Sequence, residues 1–214
     1  MRIAIFIFDG ITALDAIGPY EILGRLPGAQ VTFCALEAGV CRTDTGALGL
    51  VADKGIDDVE AADLLIIPGG PRAGGVASDP RLQAWVRRVH ATTRWTCSVC
   101  TGALILAAAG LLDGQPATTH WYRFDALAAL GAVPVRERVV VSGRIITAAG
   151  VSAGIDMALQ LAAILGGEAL AQALQLSIEY DPAPPFDAGS PDKAPPEILA
   201  SVKAFYAERD KGRS

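Results

Sequence analysis

Four apolar runs constrain the fold of this chain more than anything else in it. They lie at residues 3–8, 31–36, 64–68 and 96–99. Each is too short for a typical helix, and each is apolar almost without interruption. A strand with one solvated face alternates polar with apolar residues, so unbroken runs predict strands covered on both faces, as in a parallel sheet. The intervening segments read as helices. Residues 13–26 form one, with Pro19 near its start. Asp79 and Pro80 open a second as N-cap and first helical residue, and Leu82, Trp85, Val86 and Val89 give it one apolar face. An apolar helix over 101–109 ends at Gly110, and another covers 153–165. Residues 139–141 and 144–147 form a hairpin about Ser142-Gly143. This alternation predicts a doubly wound α/β fold, a three-layer sandwich with a mostly parallel, flavodoxin-like central sheet. Hydrophobic residues make up 51 % of the 214 and charged residues 19 %, which excludes a disordered chain and fits one domain over 1–214.

The remaining composition narrows the function. The net charge of −5 lacks the basic footprint of a nucleic-acid or anionic-membrane binder. No segment reaches the roughly 18 apolar residues of a membrane span. The run at 3–8 is stopped at once by Asp9-Gly10, too early for a signal peptide, so a cytoplasmic protein is expected. Four cysteines (34, 41, 97 and 100) do not make a disulfide scaffold in a chain this long, and a reducing compartment fits them. Beyond Tyr180 the character changes. Residues 181–196 hold six of the thirteen prolines, and one helix, 197–209, follows.

The chemistry concentrates in Cys97-Ser98-Val99-Cys100-Thr101-Gly102, between an apolar strand and an apolar helix. Small residues two before and two after Cys100 meet the steric demand of a nucleophile elbow, a tight corner that lifts one side chain above the sheet. A sulfur at a helix N-terminus is expected to have a lowered pKa. The alternative is a buried, inert cysteine. Cys97 and Cys100 also form a C-x-x-C, but Cys97 falls in the strand, where a redox pair is disfavoured. With two histidines and no second cysteine pair, a zinc site is not expected. Pro68-Gly69-Gly70 closes another strand, and its Gly69 and Gly70 amides are candidate donors to developing negative charge; an ordinary tight turn is the alternative. Asp15, an acid among apolar neighbours, is either functional or an N-cap near Gly18-Pro19. Glu21 is a rival carboxylate. His120 is a candidate base for Cys100 or a structural histidine.

In this order, these pieces resemble the ThiJ/PfpI superfamily, of the class-I glutamine amidotransferase-like fold. The matching stretches are Leu14-Asp15 through Gly18-Pro19, Ile67-Pro68-Gly69-Gly70, Ser98-Val99-Cys100-Thr101-Gly102, Ala117-Thr118-Thr119-His120-Trp121, Ala153-Gly154-Ile155-Asp156 and the Pro-rich stretch after Glu179-Tyr180. Asp15, Thr101 and that Pro-rich tail are most similar to the hydratase-like branch, whose members add water to isonitriles. The resemblance implies a hydro-lyase in which Cys100, Asp15 and Thr101 carry catalysis on a small-molecule isonitrile. It also implies a homodimer, with no metal or organic cofactor. Intracellular peptidases of the superfamily have His directly after the nucleophile, where this chain has Thr101. The superfamily also supplies ligand-sensing halves of transcription regulators with a similar Cys-Thr-Gly-Ala corner. A regulator would need a helix-turn-helix domain after about residue 200, which the single helix expected there does not provide. A sensing or redox-stress domain with an oxidisable Cys100 is the competing expectation.

Overall fold

The structure, a computed structural model, describes residues 1–211. The chain runs β1 (Arg2–Phe6), α1 (Ala13–Leu23), β2 (Gln30–Ala35), then the short strands β3 (Gly39–Arg42), β4 (Gly49–Ala52) and β5 (Lys54–Gly55). Next come β6 (Leu64–Ile67), α2 (Ala73–Ala77), α3 (Pro80–His90), β7 (Trp95–Val99) and α4 (Gly102–Ala108). After β8 (Pro116–Ala117), α5 (Phe124–Ala129) and β9 (Val133–Pro134), the hairpin β10 (Val139–Ser142) and β11 (Ile145–Ala148) leads into α6 (Ala153–Gly166) and α7 (Glu168–Ser177). Two compact units are present, divided after Glu179. The second, from Tyr180 on, holds the Pro-rich stretch and α8 (Pro196–Lys211), and no strand among its described residues.

The first unit is built on a seven-stranded sheet of order β10-β11-β7-β6-β1-β2-β5. All its pairings are parallel except β10 with β11. β6 is buried at all four residues and β7 at four of five, which explains their unbroken apolar runs. The chain starts in the middle at β1, lays β2 on one side and then β6, β7 and β11 on the other. The order therefore reverses between β1 and β6. In open α/β sheets such a switch point opens a crevice at the carboxyl ends of the strands, and the first turn of α1 with Asp15 and the Pro68-Gly69-Gly70 turn lie there.

Local expectations hold with small shifts. Asp79 caps α3, its carboxylate accepting from the amides of Arg81 at 2.7 Å and Leu82 at 3.4 Å, and Leu82, Trp85, Val86 and Val89 are all buried. The first helix ends at Leu23 rather than residue 26, closed by Gly24, and Pro19 lies in its interior rather than near its start. This stretch packs against α6. A methyl built at Gly154 would sit 3.2 Å from Pro19 Cδ and 3.1 Å from both Val99 methyls, and one at Gly18 would sit 3.1 Å from Ile155 Cγ1. Small residues thus bring α1, α6 and the end of β7 together beside the crevice.

Candidate active site

Cys100 occupies the corner between β7 and α4 with φ of +57°, a left-handed conformation uncommon for a residue with a side chain. Neighbouring backbone holds it there. Its amide donates to Ala148 O at 3.0 Å and Ala149 O at 3.2 Å, and its carbonyl accepts the Thr119 hydroxyl at 2.9 Å. The tightness of the corner dictates its glycines. A methyl at Gly102 would collide with the Ile67 carbonyl, and one at Gly69 would lie 2.5 Å from both the amide and the hydroxyl oxygen of Thr101.

Asp15 is the third residue of α1 and fully buried, so the N-cap alternative does not hold; Thr12 occupies that place. One carboxyl oxygen, Oδ2, accepts the Gly69 amide at 3.1 Å, while Oδ1 makes no hydrogen bond. Burial raises the Asp15 pKa from 3.8 to about 8. The Cys100 thiol and the Gly69 amide act against this rise, and the charge of Asp44 adds to it. Carboxyl and thiol stand close enough to perturb each other. Burial pushes the Cys100 thiol well above its ordinary range, and the neighbouring Asp15 charge pushes it further. The amide and hydroxyl of Thr101 pull the other way without prevailing. This corrects the expected lowered thiol pKa. The sulfur is buried against an acid, and α4, only seven residues long, offsets little of that.

The roles of Thr101, Gly69 and Gly70 also change. The Thr101 hydroxyl donates to Gly70 O at 2.9 Å and accepts from Gly70 N at 2.8 Å. The Gly69 amide is spent on Asp15. The expected charge-steadying donors are therefore committed to fixing Asp15 and Thr101 in place. Glu21 stays outside this arrangement, paired on the helix surface with Arg25 at 2.6 Å. Cys97 is fully buried in β7 between Ile146 and Ile66 of the neighbouring strands, its thiol pKa raised by burial. All four cysteines are free.

His120 is brought to the site through Gly150. A methyl built at Gly150 would overlap His120 Cδ2, lie 3.1 Å from its Cγ and 3.4 Å from Cys100 Sγ. Burial, aided by the charge of Arg123, lowers the His120 pKa to about 4, which leaves a weak base at neutral pH. Sequence reasoning missed Gly150, Thr119 and Asp44. Asp44 arrives on the β3–β4 hairpin, tied by its amide to Ile11 O at 2.9 Å, and nothing in its local sequence marks it. Among the described residues, no cluster of three or more His, Cys, Asp or Glu side chains could hold a metal ion, and no helix is long and apolar enough to cross a membrane. A separate open cavity of about 840 Å³, lined by Arg2, Thr32, Lys54 and Glu60 among others, lies at the amino ends of β1 and β2, opposite to Cys100.

Comparison with known proteins agrees with this architecture. The chain is 43 % identical to an isonitrile hydratase of Pseudomonas putida, over all of this chain and 93 % of that protein. It is 31 % identical to the HTH-type transcriptional regulator CdhR of Pseudomonas aeruginosa over 81 % of this chain, a likeness spanning 52 % of the regulator. A crystal structure of a ThiJ/PfpI family protein from Pseudomonas syringae superposes with a TM-score of 0.94 at 38 % identity, covering 98 % of this chain and 87 % of that one. The DJ-1/PfpI family model matches residues 1–164. By fold, corner and sequence, the chain belongs to the DJ-1/PfpI family.

Proposed function

We propose that the protein is an isonitrile hydratase, converting an isonitrile to an N-substituted formamide through a thioimidate on Cys100. The observation that carries the reading is the buried Asp15–Cys100 pair. Oδ2 of Asp15 is occupied as an acceptor by the Gly69 amide, so the proton of the neutral acid sits on Oδ1, which has no other partner. That places a proton donor beside a sulfur nucleophile, and an isonitrile carbon needs both at once. Full-length likeness to an isonitrile hydratase supports the same substrate class.

The reactive form of the pair carries one proton, which passes from the Cys100 thiol to the Asp15 carboxylate to give thiolate and carboxylic acid as the substrate arrives. Cys100 Sγ bonds to the terminal carbon while Asp15 Oδ1–H gives its proton to that carbon, leaving a C=N thioimidate and an Asp15 carboxylate. The carboxylate takes a proton from water as the hydroxyl adds to the carbon, and passes that proton to nitrogen. Collapse breaks the C–S bond, the hydroxyl proton returns to Asp15, and formamide, thiolate and acid result. Thr101 serves by holding Gly70, and through it the turn that grips Asp15. No metal or organic cofactor enters the scheme. A cytoplasmic homodimer completes the proposal, in keeping with four unpaired thiols.

The test is formamide release from simple alkyl and aryl isonitriles by wild type and Cys100→Ala. Turnover by wild type alone is expected. Equal turnover by Cys100→Ala would sink the covalent scheme, and none by wild type would sink the hydratase reading.

A further inference from the structure

Resting on Cys100 as the nucleophile of the hydratase reading, we propose that Thr119 is its positioning residue, whose hydroxyl fixes the peptide plane between Cys100 and Thr101 and so aims the Thr101 amide at Cys100 Sγ. Cys100 stands at φ of +57°, a conformation that a residue with a side chain keeps only where its surroundings over-determine it. The peptide plane before Cys100 is held by backbone, its amide donating to Ala148 O and Ala149 O. The plane after it depends on a side chain. The first turn of α4 closes on Thr101 O through the Leu104 amide, which leaves Cys100 O outside the helical ladder. Among the described residues, the one hydrogen-bond donor to that carbonyl is the Thr119 hydroxyl, fully buried and 2.9 Å away.

Thr119 is itself fixed by a closed ring of contacts. The Thr118 amide donates to the Thr147 hydroxyl at 2.9 Å, and Ala117 O accepts the Val135 amide at 2.8 Å. Thr147 stands on β11 opposite Ser98 of β7, two residues before Cys100. The hydroxyl therefore reaches the carbonyl from backbone tied to the strands that carry the corner. A trans peptide is planar, so its C=O and N–H point in opposite directions and turn together. Holding Cys100 O at one end directs the Thr101 N–H at the other, and donation to the carbonyl strengthens that N–H as a donor. Burial and the charge of Asp15 favour the protonated thiol, and the Thr101 amide is the foremost group opposing them. Thiolate is the attacking form. Thr119 thus acts on the sulfur through a single peptide group, without touching substrate.

Thr119→Val keeps the shape of the side chain and removes the hydroxyl, whereas Thr119→Ser keeps the hydroxyl. The probe is iodoacetamide, with alkylation of Cys100 followed by peptide mass spectrometry between about pH 6 and 9, where the rate reports the thiolate fraction. Thr119→Val is expected to react about tenfold more slowly than wild type at each pH, the equivalent of about one unit of thiol pKa, and Thr119→Ser within about twofold of wild type. A merely loosened corner would expose the sulfur and speed the reaction. Alkylation of Thr119→Val at the wild-type rate or faster would overturn the proposal, as would equal slowing in Thr119→Ser. Should Thr119→Val fail to fold, Thr119→Ala is read in its place by the same criterion. Formamide release from benzyl isonitrile is expected to fall in parallel, in kcat rather than KM. Alkylation needs no isonitrile, so a wild type that releases no formamide overturns the hydratase reading, while the role of Thr119 stands or falls on the alkylation rates.

Discussion

Asp15→Asn exposes one titration in two observables. Folding raises the Asp15 pKa from 3.8 to about 8. A carboxyl raised in this way binds a proton on folding, so its stabilising effect is complete below pH 3.8 and is lost as pH climbs to about 8. Each pH unit in that window removes about 1.4 kcal/mol, or about 4 kcal/mol by pH 7. Asn has no such titration. Its side-chain oxygen keeps the Gly69 bond, while its amide group goes without an acceptor, at about 1–3 kcal/mol. The variant should therefore be the less stable protein at pH 4 and the more stable at pH 8, with the curves crossing between about pH 4.5 and 6 by the same arithmetic. Activity should move oppositely. Wild-type kcat/KM should rise about tenfold per pH unit towards 8 as the pair loses its first proton. Asp15→Asn should lose both that rise and about 10²–10⁴-fold of the rate. Urea denaturation at four pH values, paired with formamide assays, measures both. Parallel stability curves at every pH would refute a buried, protonated Asp15.

Other perturbations follow from the corner. Gly102→Ala should drive a methyl into the Ile67 carbonyl and destabilise the protein by about 1–3 kcal/mol, read as a lowered Tm. Cys100→Gly and Cys100→Ala should both be inactive, but the glycine variant should be more stable by about 1 kcal/mol in denaturant titration, because the left-handed φ no longer strains a side chain. Cys97→Ala should leave kcat/KM within about twofold of wild type, since a thiol buried in β7 takes no part in the reaction; a large loss would reinstate the dithiol.

The sheet was legible because strands buried on both faces carry unbroken apolar runs, and α3 because Asp79-Pro80 is an unambiguous start. The β3–β4 hairpin escaped notice, since its residues Val40 and Val51 are exposed and carry no core pattern. Asp44 was missed with it. α7 was overlooked as well, its chain direction set by Gly167 at φ of +88° rather than by a marked apolar face. At the site, residue types pointed to Cys100, Asp15, Thr101 and the paired glycines, but not to which amide serves which oxygen. Proton affinities were the least legible. A corner motif reveals the dipole behind a sulfur and says nothing of how deeply the sulfur is buried or which acid faces it.

The commitment of the Gly69, Gly70 and Thr101 backbone has a consequence for selectivity. Cleavage of an ester or peptide passes through a tetrahedral oxyanion, and each missing donor to that oxygen slows it by about 10²–10³-fold. Here two of these amides hold side chains and the third leans on the sulfur itself. The corner has the outline of an acyl-transfer site with its anion receptor closed. A carbonyl compound added to Cys100 would meet amides that are already engaged, which should slow its cleavage relative to its addition.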